Sequence, residues 1–441
     1  MRLPLVFGCA LFSLIAITAH AATDDPFTFP ETDLMRAAPR AVFVAFMGDF
    51  HNPVGSGRWG AWAHTGEKNA PHDPGHIDPA TGRRDIASCF YPSIGPYDQG
   101  DPDVIDCQCQ LLKMAGIDGI SFNLSFYQLD EWRQRSMRMY VDAMKRYALL
   151  AIVRFENKFF PDKYPDPTEM LAASYSDMDA WMKMIEPVQY RVSGRPVFML
   201  FTFKLTPDQL RAWADRFPVA QRPIILTYGA DPKYKSVVDG RFGWTGDQPN
   251  RLKDHPPYVS YVTPELMRVN ERRDRQRALE LLESGQITFY MAGVAPGFDD
   301  IGCWGWGNGP RKVERDDGQT YQYRWQQTLK TNLRNVFIPT WNDWNEGTTI
   351  EPSIEYGDQY ITMTRQYAAQ FKQTAPPSSG SLMLPIWIYK IRKTTPDAAA
   401  DMSRASELIV TGAFDQARAL VEPWWKKLNL DDKTPWDRAT Q

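Results

Sequence analysis

The chain has 441 residues, 43% of them hydrophobic and 13% aromatic, with a formal net charge of −3 at pH 7. That is ample for a sizeable core, arranged as one large domain or two to three smaller ones. The charge balance gives no electrostatic basis for binding nucleic acid or an anionic membrane surface.

The first 22 residues read as a secretory signal. Arg2 supplies the positive n-region, residues 3–18 the apolar h-region, and Ala19-His20-Ala21 a small-x-small cleavage site before Ala22. The apolar run is short for a membrane span, and no later run approaches spanning length. The expected destination is therefore the periplasm or the medium, with no membrane insertion after cleavage. Cys9 lies inside the h-region, which leaves Cys89, Cys107, Cys109 and Cys303. Export permits disulfides. Cys107 and Cys109 are too close to bridge each other, so pairing with Cys89 or Cys303 is expected, and the three full pairings stay open.

Eight apolar, β-rich runs follow: 41–46 (AVFVAF), 117–123 (IDGISFN), 149–156 (LLAIVRFE), 196–203 (PVFMLFTF), 223–228 (PIILTY), 242–245 (FGWT), 287–294 (ITFYMAGV) and 335–341 (NVFIPTW). Helical patterns at 102–115, 129–148, 177–190, 206–217 and 263–283 lie between them. Near-continuous apolar strands alternating with helices predict an α/β fold, a (β/α)8 TIM barrel. Asp49, Asn123, Glu156, Tyr228, Trp244, Asp299, Asn342 and Asp343 fall just past the strand ends, on the rim where such barrels place their chemistry. The first βα loop, 50–101, is long and rich in Gly and Pro, yet its aromatics argue for order. A Pro/Ser/Gly cluster at 375–381 marks a domain edge. The expected organisation is signal 1–22, barrel 23–375 and a mostly helical extension 376–441.

The most informative stretch is 341–352, WNDWNEGTTIEP. A strand ending in acids, tryptophans and asparagines is not written for packing. Paired carboxylates beside flat rings suit glycosidic bond cleavage, where one acid protonates the leaving oxygen and its partner acts as base or nucleophile. Asp343 and Glu346 are the candidate pair; the alternative is a capped turn with Glu346 bound to an arginine. Glu351 is a third rim acid or a structural ion pair. Glu156 binds a sugar hydroxyl or pairs with Arg154 or Lys158. Asp299 and Asp300 follow a Pro-Gly step, where an Asx turn competes with a cleft-facing role. Trp59, Trp62, Trp244, Trp304, Trp306, Trp341 and Trp344 are candidate sugar platforms, although any single Trp is more often core. Tyr97 and Asn342 are further substrate contacts, and Arg315 binds sugar or anchors its loop. His51, His64, His72 and His76 cluster in the first insertion. Substrate hydrogen bonding, for which His72 is the candidate, is favoured over metal ligation because zinc-site spacings are not met. No P-loop, no GxGxxG after a strand and no Cys/His zinc pattern occurs, so no cofactor is implied.

Several segments resemble the family 99 and family 71 glycoside hydrolases and the bacterial family 71/99-like proteins. They are YPSIGPYD at 91–98 with Asp101-Pro102-Asp103, AGIDG at 115–119, Phe155-Glu156-Asn157, VAPGFDD at 294–300 and WNDWNEGT at 341–348. The resemblance spans roughly residues 40–360 and does not cover the tail. It implies a (β/α)8 barrel acting on α-linked polysaccharide, mannan in family 99 and 1,3-glucan in family 71. In family 99 the terminal motif carries two glutamates; the first acts as base on the substrate's own 2-hydroxyl and the second as general acid/base. By that correspondence Asp343 takes the first role and Glu346 the second. Asp343 is one methylene shorter than the family 99 glutamate, and Trp-Asn-Asp is the family 71 form. The expectation is an exported glycoside hydrolase with a polysaccharide or oligosaccharide substrate. Its rivals are a non-catalytic carbohydrate-binding barrel, a metal-dependent hydrolase using the first loop, and a scaffold using the helical tail.

Overall fold

The computed structural model describes residues 27–64, 72–124, 130–158, 160–229, 231–246, 251–375 and 382–432. The signal reading of 1–22, with Cys9, and nearly all of the 375–381 cluster lie outside these residues.

Eight parallel strands close on themselves: β1 (Ala41–Met47), β2 (Gly119–Leu124), β3 (Leu150–Phe155), β4 (Arg195–Leu200), β5 (Ile224–Thr227), β6 (Gly240–Phe242), β7 (Phe289–Gly293) and β8 (Asn335–Ile338). β1 pairs with both β2 and β8, and β3 pairs with β4 to complete the ring. Alternation along each strand divides the core. Val42, Val44 and Phe46 of β1 pack outward against helices, while Phe43 and Ala45 join Ile152, Met199, Leu226, Phe242 and Phe337 inside the barrel.

The helical layer consists of α1 (Pro102–Met114), α2 (Glu131–Tyr147), α3 (Pro167–Ile185), α4 (Pro207–Ala214), α5 (Pro264–Glu283), α6 (Gln319–Leu329) and α7 (Gln359–Lys372). Several begin with a side-chain cap followed by proline: Asp101 before α1, Asp166 before α3, Thr206 before α4 and Thr263 before α5. The third helix therefore starts ten residues before the predicted 177–190 (Pro167 against 177), because Asp166-Pro167 is its start signal. Between β5 and β6 the described residues of the connection carry a short 3-10 turn, Pro232–Tyr234, in place of a full helix. The sixth strand sits two residues before the predicted 242–245. A Cβ on Gly243 would lie 2.4 Å from the Gly293 amide, so this glycine allows the close approach of β6 and β7 that ends the strand.

After Thr374 the chain continues as α8 (Leu384–Thr394), α9 (Ala399–Val410) and α10 (Phe414–Lys427). Their apolar faces join the same core as the outer strand faces. Arg392 of α8 pairs with Asp106 at 2.8 Å, and Lys393 with Asp101 at 2.8 Å, fastening α8 to the start of α1. Among the described residues no helix is long and apolar enough to cross a membrane. The expected disulfides are not present: Cys89, Cys107, Cys109 and Cys303 are free thiols. Cys107 and Cys109 are buried within α1, and Cys89 and Cys303 each donate to a nearby backbone carbonyl.

Candidate active site

The loop after β8 folds back on itself over the barrel mouth. Thr340 N donates to Thr348 O, and Ile350 and Glu351 donate to Trp341 O. Arg315 locks the return limb by donating to Gly347 O at 2.9 Å and Thr349 O at 2.8 Å. Its guanidinium rests on Phe90, Tyr356 and Tyr360, so it is an anchor of this loop and not a sugar ligand.

Most polar side chains of 341–351 are consumed by the scaffold. Asn342 grips Met47 at the end of β1, accepting from its amide at 2.8 Å and donating to its carbonyl at 3.0 Å. Trp344 Nε1 donates to Tyr97 OH at 3.0 Å, and Tyr97 OH donates to Glu351 Oε2 at 2.7 Å. Gln108 of α1 donates to the other Glu351 oxygen at 2.7 Å. Asn345 donates to the carbonyls of Ala61 and Ala87, holding the first insertion in place.

Asp343 and Glu346 are left over. The Glu346 amide donates to Asp343 Oδ1 at 3.1 Å, and Trp306 Nε1 donates to Glu346 Oε1 at 3.1 Å. Among the described residues neither carboxylate forms an ion pair, and Asp343 Oδ2 and Glu346 Oε2 accept no hydrogen bond. Burial raises the pKa of both. For Asp343 the Glu346 amide and the Arg154 charge pull back against it. For Glu346 the negative charge of Asp343 adds to burial, so its rise is the larger. Two adjacent carboxyls that resist ionising together are suited to hold one proton and one charge at neutrality.

The partner loop is shaped to meet them. Trp304, Gly305 and Trp306 all take left-handed backbone, with φ of 50°, 59° and 56°. Side chains rarely adopt that conformation, and here it carries the Trp306 indole to Glu346. Trp306 is 37% exposed and packs on the His64 ring at 4.4 Å. Trp304 is half-buried in the same turn. Across the mouth, half-buried Trp244 stands over the Arg154 guanidinium at 4.8 Å.

Other predicted contacts lie elsewhere. Trp62, Trp341 and Trp344 are fully buried and offer no ring face to a sugar. Tyr97 and Asn342 are likewise internal, spent on the hydrogen bonds above. Trp59 lines a separate cavity of about 630 Å³ with Asn52, Arg84, Asp98, Tyr389 and Lys393. Glu351 is not a rim acid and forms no ion pair among the described residues; it is buried, and burial pushes its carboxyl up to about 7. Asp300 is completely enclosed and bound by Arg311 at 2.7 Å. Asp299 caps the Ile301 amide and accepts from Tyr258 OH, the Asx turn outcome. Glu156 is 6% exposed and accepts from the Thr202 hydroxyl, with no ion pair among the described residues. His72 is held by Asp85 at 2.6 Å and His51 by Ser56 at 2.6 Å, so the insertion's histidines do not converge. Among the described residues no group of three or more His, Cys, Asp or Glu is placed to hold a metal. Arg154 is the residue the sequence reading missed as part of the site. Its signal is a cation at an inward position of an otherwise apolar strand.

Comparison with known proteins agrees with this geometry. The sequence profile of glycosyl hydrolase family 99 matches residues 39–234, and a domain of unknown function (DUF5010) matches 284–383. The chain is 23% identical over 399 residues to the glycoprotein endo-alpha-1,2-mannosidase of Mus musculus, covering 81% of each chain. It is 23% identical over 316 residues to the glycoprotein endo-alpha-1,2-mannosidase-like protein of Homo sapiens, covering 65% of each. The fold matches the GH99 endo-alpha-mannosidase of Bacteroides thetaiotaomicron with a TM-score of 0.53 at 17% identity, over 76% of this chain and 98% of that one. The profile and the relatives make the chain similar to the family 99 glycosyl hydrolases, the solved structure shows the same fold, and the chain is a glycoside hydrolase.

Proposed function

We propose that the protein is an exported enzyme that cleaves α-linked mannan- or glucan-type polysaccharide, with Glu346 as general acid/base and Asp343 as the partner base. One observation carries this reading. In a loop whose other polar side chains are mostly bound by the scaffold, these two carboxylates each keep an oxygen that accepts no hydrogen bond among the described residues, close together at the barrel mouth. The relatives named above as α-mannosidases favour an α-mannosidic bond, and the signal reading of 1–22 supports export.

In the proposed reaction the neutral Glu346 gives its proton to the glycosidic oxygen as the C1–O bond breaks. Ionised Asp343 takes a proton from the group that attacks C1, either the substrate's own 2-hydroxyl or water. In the first case O2 bonds to C1, and water later opens that ring, losing its proton to Glu346 while Asp343 returns its own to O2. Both carboxyls then regain their starting states.

The test is reducing-end release by the protein starting at Ala22 from α-1,2-, α-1,3- and α-1,6-linked mannans and glucans. Release from one linkage class is expected. Glycan binding without release from any of them contradicts the hydrolase reading of this site. N-terminal sequencing of exported protein is expected to begin at Ala22, and retention of Arg2 contradicts export.

A further inference from the structure

The barrel mouth holds a cation that packing does not explain. Ile152 belongs to the inner core, and Val153 and Phe155 to the outer one, so alternation on β3 sends Arg154 into the barrel. It is 1% exposed. Its guanidinium lies between the rings of Trp244 at 4.8 Å and Phe201 at 5.3 Å. Among the described residues its one directional contact is Nη2 to Met47 Sδ at 3.6 Å, and its Nε is buried without a partner.

Other buried arginines also leave a guanidinium nitrogen without a hydrogen-bond partner, but each is held by a carboxylate or by carbonyls. Arg241 pairs with Asp274, Arg275 and Arg324 with Glu271, and Arg315 with two carbonyls. Arg154 forms no ion pair among the described residues. Isolated buried charges are costly and collect at functional sites. Met47, on which Arg154 rests, is the residue that Asn342 grips from both backbone atoms, and Asn342 precedes Asp343. The cation is thus seated against the foot of the carboxylate loop. Burial pulls Arg154 down only to about 10, so it stays charged through neutrality.

The charged groups around Asp343 are Arg154, Glu156, Asp300 and Glu346. Glu346 feels Asp343, Asp300 and Arg311. Arg311 is already neutralised by Asp300, at 2.8 Å and 2.7 Å. The positive field of Arg154 is shared by Glu156, Asp343 and Glu346 in that order, so of the two loop carboxylates it acts more on Asp343. We propose that Arg154 is a positioning residue that, together with the Glu346 amide, sets which carboxylate carries the charge: it helps to hold Asp343 ionised while the proton stays on Glu346.

This inference rests on the proposed roles of the two carboxylates, so its test does not depend on turnover. Carboxyl carbons are labelled with ¹³C and titrated by NMR, with Asp343 and Glu346 assigned through Asp343→Asn and Glu346→Gln. In the wild type Asp343 is expected to ionise at lower pH than Glu346; the reverse order overturns the proposal. In Arg154→Met the Asp343 midpoint is expected to rise by about one unit or more, a tenfold gain in proton affinity, with a smaller change at Glu346. Arg154→Lys is expected to recover at least half of that shift. A folded Met variant whose Asp343 midpoint moves by less than roughly 0.3 unit, or no further than Glu346, overturns it. Arg154→Gln replaces the Met variant if that fails to fold, and the wild-type order decides if neither folds. Once a substrate is known, the acid limb of kcat/KM moves to higher pH in the neutral variants. If the titrations behave as stated and no glycan is cleaved, the hydrolase reading fails and the charge assignment stands.

Discussion

The backbone amide of Glu346 donates to Oδ1 of Asp343 at 3.1 Å. One turn of the loop therefore fixes the spacing of the carboxylate pair, and the hydrogen bond favours the ionised form of Asp343 over that of its neighbour. The asymmetry of the site begins in the main chain and is reinforced by side chains.

The pair sets the pH dependence. Asp343 must be ionised, so activity falls as pH drops through its pKa. Glu346 must be protonated, so activity falls as pH rises through its own. Both are raised by burial, and Glu346 the more. A bell-shaped kcat/KM centred near neutrality is expected, with both limbs above the ordinary carboxylate range. A profile flat from acid to alkaline pH contradicts this.

Trp306→Phe keeps a ring but removes the donor to Glu346 Oε1. That bond favours the ionised carboxylate, so its loss raises the Glu346 pKa further and moves the basic limb to higher pH. A fall of about tenfold in kcat/KM, in line with a hydrogen bond to a charged group, is expected with no change in Tm. An unmoved basic limb contradicts the contact.

Gly347→Ala tests the seam between the two site loops. Gly347 has φ +55°, and an added Cβ would lie 2.5 Å from Asp299 O and 2.8 Å from Cys89 Sγ. The Asp299 amide donates to Glu346 O beside it. A loss of roughly 2–4 kcal/mol is expected in chemical denaturation, from strain and overpacking together. An unchanged midpoint contradicts the close approach.

Glu351 predicts a stability signature. Its folded pKa, about 7, lies above the ordinary glutamate value of 4.5, so the folded state holds the extra proton. Stability is greatest below about pH 4.5 as far as this group is concerned, and falls as pH rises toward 7, by on the order of 3 kcal/mol. Glu351→Gln removes that slope, so the variant is relatively more stable at pH 8 than at pH 5 when each is compared with wild type. A parallel pair of stability–pH curves contradicts the assignment.

The barrel was legible because strands buried on both faces write near-continuous apolar runs. β6 was misplaced by two residues because Gly240 to Gly243 reads more like a turn than a strand. The carboxylate pair was legible because acids at a strand end have no packing purpose. The aromatics were not, because sequence does not say which face of a loop is inward: Trp341 and Trp344 flank Asp343 in the chain, yet their rings are core. Asp299 and Asp300 were ambiguous for the same reason, since their partners Tyr258 and Arg311 come from other segments. Arg154 was read only as a possible partner for Glu156, and its isolation depends on the closed ring of strands.

The most direct test compares two leaving groups in two variants, using the linkage that the wild type cleaves. A glycosyl fluoride needs no proton to depart, whereas a sugar leaving group does. Glu346→Gln is expected to lose about 10²- to 10⁴-fold on the glycan, the range for removal of a general acid, while retaining most of its activity on the fluoride. Asp343→Asn is expected to be impaired on both. Equal losses by Glu346→Gln on the two substrates, or full activity of either variant on the glycan, would contradict the assignment of acid and base.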